Sequence, residues 1–173
     1  MKIENIVCSG SFNQELDLNQ LKNDEHIEYG KNKYPGAYIK YNGHSITIYR
    51  TGKYIMPGMR SFDDIDKTFD DVKRILSPYA DISKFSSPEI RNMVCSSQYP
   101  HPFNLNSMYI EMQSANYDVV YEPESFPGLI LKTAECTYNI FQSGKFLILG
   151  CTSEQQAENC ESEFMAIVSH LST

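Results

Sequence analysis

The chain has 173 residues, 41 % of them hydrophobic and 21 % charged, with a formal net charge of −7. That length suits one or two small domains, and the apolar content is too high for a disordered chain. The acidic balance argues against a strongly basic nucleic-acid binder and favours basic partners, although a local basic or apolar face can sit on an acidic molecule.

Residues 3–9 read as a strand. Asp17 to Lys22 makes a short helix, with Leu18 and Leu21 three apart, and Asn23-Asp24 breaks it before a short strand near 26–29. Residues 37–41 form the next strand. Asn42-Gly43, the strongest hairpin signal in the chain, joins it to Ser45–Tyr49, with Ile46 and Ile48 on one face and Thr47 and Tyr49 on the other. Thr51-Gly52 turns into Lys53–Met56, and Pro57-Gly58 is expected to end that strand. The period then changes. Ser61 caps a helix with Asp64 three residues on, and Phe62, Ile65, Phe69, Val72 and Leu76 make an apolar stripe opposite Asp63, Asp66, Lys67, Asp70 and Arg74. Ser77-Pro78 stops the helix, and residues 79–88 form a short ordered link.

The second half repeats the order. A strand covers about 90–96, Pro100 and Pro102 restrict a loop, and a short helix lies near 104–108. Strands follow at 129–133, 136–142 and 146–149. Ser153 with Gln156 caps a last helix with the stripe Ala157, Cys160, Phe164, Ile167 and Leu171. Residue-level echoes support the repeat: residues 29–38 recur in 121–130 and Thr51–Tyr54 in Ser143–Phe146, both 92 on, while Asn5–Ser9 recurs in Asn92–Ser96, 87 on. The five-residue difference places an insertion early in the second copy. The expected fold is α+β, with two tandem pseudo-symmetric repeats at 1–84 and 85–173.

Each long helix covers one face of its strands. The other face then carries Asn5, Val7, Thr47, Tyr49, Ile55, Asn92, Val94, Asn139, Phe141, Leu147 and Leu149, too apolar and too poor in charge for a plain solvent face. Catalytic signatures are missing: the four histidines are scattered, no phosphate loop or nucleophile elbow occurs, and no metal-ligand spacing relates the histidines or cysteines. No enzyme, metal or cofactor is expected. The odd count of five cysteines without C-x-x-C fits free thiols in a reducing compartment, with Cys8 and Cys95 as core residues. With no secretory leader and no membrane-length apolar run, an intracellular location is expected.

Tyr121-Glu122-Pro123-Glu124-Ser125-Phe126-Pro127-Gly128-Leu129-Ile130, followed by Ile140-Phe141-Gln142-Ser143-Gly144-Lys145 and the doubled Asn-(Ile/Met)-Val, resembles the TATA-box-binding protein family over roughly residues 3–171. The resemblance implies a saddle: a curved ten-stranded antiparallel sheet with helices on the convex side. Its concave face would lie in the minor groove of A/T-rich promoter DNA, where wedging and kinking are the family's known mode of binding. It further implies a general initiation factor that recruits transcription factor B and, indirectly, RNA polymerase, in the cytoplasm and nucleoid of an archaeon or the nucleus of a eukaryote.

Carried over residue by residue, the resemblance makes Phe126 with Phe141, and Tyr34 with Tyr49, the pairs that pry open base steps. The tyrosines depart from the family's phenylalanines, and each hydroxyl needs a partner when buried. Asn5 and Asn92 would reach minor-groove acceptors, with Val7, Val94, Ile55 and Leu147 completing the floor. Lys40, Lys53, Lys132 and Lys145 would contact the DNA backbone. Glu122 and Glu124 would meet transcription factor B. Pro57 and Leu149 replace threonines, and Thr47 and Asn139 replace leucines, so the preferred box is expected to differ. The acidic first long helix resembles archaeal relatives more than eukaryotic ones. The alternative is a divergent protein-interaction module on the same fold, with little DNA binding. A second copy is another occupant that an apolar face admits when DNA is absent.

Overall fold

The computed structural model describes residues 1–30 and 33–171. Lys31 and Asn32, in the upstream echo of the Pro-Gly turn, lie outside the described residues. The strands are β1 (Lys2–Ser11), β2 (Ile27–Tyr29), β3 (Ala37–Tyr41), β4 (His44–Ile48), β5 (Lys53–Met59), β6 (Glu89–Gln98), β7 (Asp118–Val120), β8 (Leu129–Lys132), β9 (Thr137–Ile140) and β10 (Lys145–Cys151). The helices are α1 (Leu18–Leu21), α2 (Phe62–Leu76), α3 (Leu105–Ser114) and α4 (Glu154–Ser169). None is long and apolar enough to cross a membrane among the described residues.

The chain divides into two compact units. One is Asn5–Arg91; the other is Asn92–Thr173 together with Met1–Glu4. In the first, strands lie in the order β2-β3-β4-β5-β1; in the second, β6-β10-β9-β8-β7. Neighbours within each order pair antiparallel. The registers are equivalent: Thr47 faces Ile55 and Asn139 faces Leu147, each residue of the second pair 92 positions after its counterpart in the first.

Alternation sets the two faces of each sheet. Ile6, Cys8, Ile46, Ile48, Tyr54 and Met56 are at most 1 % exposed, as are Val72 and Leu76 of α2, and the Tyr54 ring stacks on Phe69 of the same helix. Met93, Cys95, Tyr138, Ile140, Phe146 and Ile148 are fully buried with Cys160 and Phe164 of α4. Each buried Ile, Met or Phe among them contributes ~1.5–3 kcal/mol. Both long helices start on reciprocal caps. The Asp64 amide donates to Ser61 Oγ (3.0 Å) while the Asp64 carboxylate accepts from the Arg60 amide (3.0 Å). The Gln156 amide donates to Ser153 Oγ (3.1 Å), and Gln156 Oε1 accepts from the Thr152 amide (3.0 Å).

Several boundaries differ from expectation. Pro57-Gly58 does not end β5. The ladder shifts register between Ile6 and Cys8, Gly58 takes φ +76°, and pairing resumes at Met59. The missing proline amide is accommodated in a bulge rather than at a strand end. Gly150 repeats the device with φ +91° between Leu149 and Cys151. Phe62 is 39 % exposed, so the α2 stripe begins at Ile65 and gains Thr68 and Ile75. The inserted residues lengthen α3 through Ser114, and β7 adds an edge strand that three residues could not announce by periodicity.

Candidate nucleic-acid interface

Turned away from the helices, Asn5, Val7, Thr47 and Tyr49 of the first unit are half-buried, and Ile55 is 36 % exposed. Asn92, Val94, Asn139, Phe141, Leu147 and Leu149 of the second unit are likewise half-buried. Every one of them alternates with a buried neighbour, so strand geometry commits them to the helix-free face.

The structure brings each expected aromatic pair together. Phe126 and Phe141 sit edge to face, with centroids 5.8 Å apart and planes at 68°. Tyr34 and Tyr49 lie 6.3 Å apart, their hydroxyl oxygens 2.7 Å from one another, and Tyr34 also stacks on Tyr38. The hydroxyls that needed partners therefore have each other. That bond, more than burial, pushes the Tyr49 phenol above its ordinary pKa.

A glycine seats each pair. A Cβ at Gly128 would stand 2.8 Å from Phe126 Cε1 and 3.1 Å from both Phe141 Cε1 and the Ile140 carbonyl. At Gly36 the same construction meets Tyr34 Cε1 at 2.9 Å, with Tyr49 Cε1 and the Ile48 carbonyl at 3.1 Å. The Pro-Gly corner is thus a platform on which two rings rest. The repeated Pro-Gly hinted at it, but only the packing shows why glycine is required. The Glu122 carbonyl accepts from the Ser125 and Phe126 amides (2.9 and 3.0 Å), which closes the turn that aims Phe126.

Asn92 has a second role. Its Oδ1 accepts from the Gly150 amide in the β10 bulge (2.8 Å). The carbonyl end is therefore spoken for, and the amide's two N–H donors are left for a ligand. Acceptors are what A·T pairs present in the minor groove, whereas G·C pairs add a competing donor.

Lys40, Lys53, Lys132 and Lys145 are exposed, and each shares the outward side of its strand with the residues above. Lys40 Nζ also lies 5.3 Å from the Tyr38 ring centre. Arg91, which the sequence did not single out, joins this face of the first unit: its Nε donates to Ser9 Oγ (2.6 Å), and its other end pairs with Glu89 (3.2 Å). Ser9, Tyr49, Lys53, Ile55 and Arg91 line a shallow depression of about 470 Å³. Glu122 and Glu124 are exposed on the turn before Phe126. Next to that turn, Pro102, Asn104, Tyr121 and Gln142 border a second depression of about 480 Å³.

Comparison with known proteins decides the family. The profile described as "Transcription factor TFIID (or TATA-binding protein, TBP)" matches residues 1–79 and 87–171. The chain belongs to the TATA-binding protein family. It is 31 % identical to TATA-box-binding protein C of Halobacterium salinarum over 99 % of its length and 98 % of the relative's. It is 34 % identical to the TATA-box-binding protein of Picrophilus torridus, over 90 % of this chain and 87 % of that one. The solved structure of Methanococcus jannaschii TBP superposes with a TM-score of 0.85, covering 98 % of both chains at 24 % identity, and shares the fold. As a TATA-binding protein family member, the chain is a DNA-binding transcription factor and not an enzyme.

Proposed function

We propose that this chain binds and bends A/T-rich promoter DNA through the minor groove, and recruits transcription factor B and thereby RNA polymerase. The observation that carries this reading is the pair of aromatic couples, each on its glycine platform at repeat-equivalent positions beside an apolar, charge-poor face. Each couple would enter a base step at one end of the box. Stacking lost in the DNA is offset by ring contact, which is cheapest at flexible pyrimidine–purine steps. Asn5 and Asn92 would donate to base acceptors, Val7, Val94, Ile55 and Leu147 would line the groove floor, and Lys40, Lys53, Lys132 and Lys145 would hold the backbone. The exposed Glu122 and Glu124 would meet basic side chains of transcription factor B on the same turn that carries Phe126. We take 1–84 and 85–173 as the functional repeats, acting wherever the chromosome lies.

A second reading has its own support. Thr47 and Asn139 place polar groups on the face where leucines are the family's rule, and the molecule carries −7. A protein-interaction module on this fold would bind transcription factors and spare DNA.

Fluorescence anisotropy with A/T-box and scrambled G/C duplexes, at two salt concentrations and with or without transcription factor B, separates the two. Selective binding that Phe126→Ala or Phe141→Ala weakens without unfolding supports promoter bending. Factor binding with no duplex preference in any condition rejects it in favour of the interaction module.

A further inference from the structure

The structure gathers three of the five cysteines into one place. Cys136 precedes β9, Cys151 ends β10 and Cys160 lies on the inner side of α4, yet their sulfur atoms all fall within 4.8 Å of one another. Sequence spacing gave no sign of this, because the three residues reach each other only when α4 folds back across β9 and β10. We propose that Cys136, Cys151 and Cys160 form a three-thiolate site for a soft divalent cation of the zinc class.

Geometry is the first support. A cation roughly 2.3 Å from each sulfur sets S···S separations of about 3.8–4.0 Å. Cys151 Sγ and Cys160 Sγ are already 3.8 Å apart, and a small movement of Cys136 closes the triangle. Access is the second. Cys151 and Cys160 are fully buried, but Cys136 is 7 % exposed and follows the exposed Ala134 and Glu135, so an ion has a way in. The internal repeat is the third. The positions 92 residues earlier hold His44, Met59 and Thr68, and there His44 Nε2 is engaged by the Asp64 carboxylate at 3.0 Å. The same three places in the fold thus carry a mixed, self-satisfied set in one unit and three thiols in the other.

The chemistry balances without an oxidant. Three thiols release three protons to solvent, each sulfur donates a lone pair to the divalent ion, and the cluster is left with one net negative charge. All-thiolate sets select soft cations over magnesium or calcium. Bound there, the ion would pin α4 to the ends of β9 and β10 and stabilise the second unit. This inference is independent of the DNA-binding reading.

The test uses the full chain, reduced, chelator-stripped and kept anaerobic, titrated with Co²⁺ and then Zn²⁺. One equivalent of Co²⁺ should produce sulfur-to-cobalt charge-transfer absorption that Zn²⁺ abolishes. Cys136→Ser and Cys160→Ser should each weaken binding beyond the roughly 10–100-fold that loss of an outer-shell partner costs, while Cys8→Ser in the other unit leaves it unchanged. Should the core variants fail to fold, zinc X-ray absorption on the unaltered chain decides: three sulfur neighbours support the site. Absence of the charge-transfer band, its survival in both variants, or a zinc shell of nitrogen and oxygen overturns the proposal.

Discussion

Two hydroxyl oxygens 2.7 Å apart make Tyr34 and Tyr49 a coupled pair rather than two separate wedges. If the pair enters DNA as a unit, Tyr34→Phe or Tyr49→Phe alone leaves one hydroxyl without its partner at a cost of about 1–2 kcal/mol. Each single variant is then expected to bind an A/T box roughly tenfold more weakly, and the double variant to regain wild-type affinity or exceed it. A double-mutant cycle by anisotropy checks this; a double variant weaker than both singles would mean that the hydroxyls bond to the DNA instead. Asp64 also has a defined electrostatic role. Burial alone would raise its pKa, but the Arg60 amide, His44 and Thr68 together hold the carboxyl below its ordinary value. A depressed carboxyl stabilises the fold above the unfolded-state pKa of about 3.9, and this contribution is lost as pH falls through the lower folded value. Asp64→Asn should therefore cost ~1 kcal/mol at neutral pH, as loss of a helix cap does. Urea titrations at neutral and strongly acidic pH should show the difference between variant and wild type shrinking in acid.

At the scale of elements, the Pro-Gly corners before β3 and β8 are packing devices. Gly128 has no unusual backbone angle, so its requirement comes from the rings above it and the Ile140 carbonyl below. Gly128→Ala forces one of them to move, an overpacking cost of about 1–3 kcal/mol. Because Phe126 is the half-exposed and movable partner, the strain should appear as a displaced ring more than as lost stability. DNA affinity should fall while the thermal midpoint changes little, and Gly36→Ala should behave alike in the first unit. A large drop in midpoint with unchanged affinity would place the glycine's role in the core. The bulges at Gly58 and Gly150 are a second shared device, and in β10 the bulge also orients Asn92. There a backbone irregularity sets the chemistry of a side chain 58 residues away in sequence.

For the whole molecule, the charge balance is the quantity of interest. An acidic protein that binds DNA must do so through local cations, so binding should weaken steeply with salt. If Lys40, Lys53, Lys132 and Lys145 each neutralise a phosphate, replacing one by glutamine should reduce the slope of log K against log salt by about 0.9. Binding isotherms over a salt series measure this directly; slopes unchanged in all four variants would remove these lysines from the backbone contact. The sequence alone determined the two-fold repeat, the strand and helix order apart from β7, which face of the main strands is buried, and the family, because periodicity and turn chemistry are local and the motif around Phe126 is specific. It was silent on the glycine platforms, the Tyr34–Tyr49 hydroxyl bond, the passage of β5 through Pro57-Gly58, the place of Arg91 and the meeting of three cysteines. Each of these depends on which residues distant in the chain come within a few ångströms, and that is decided by strand register and by how the helices lie across the sheets.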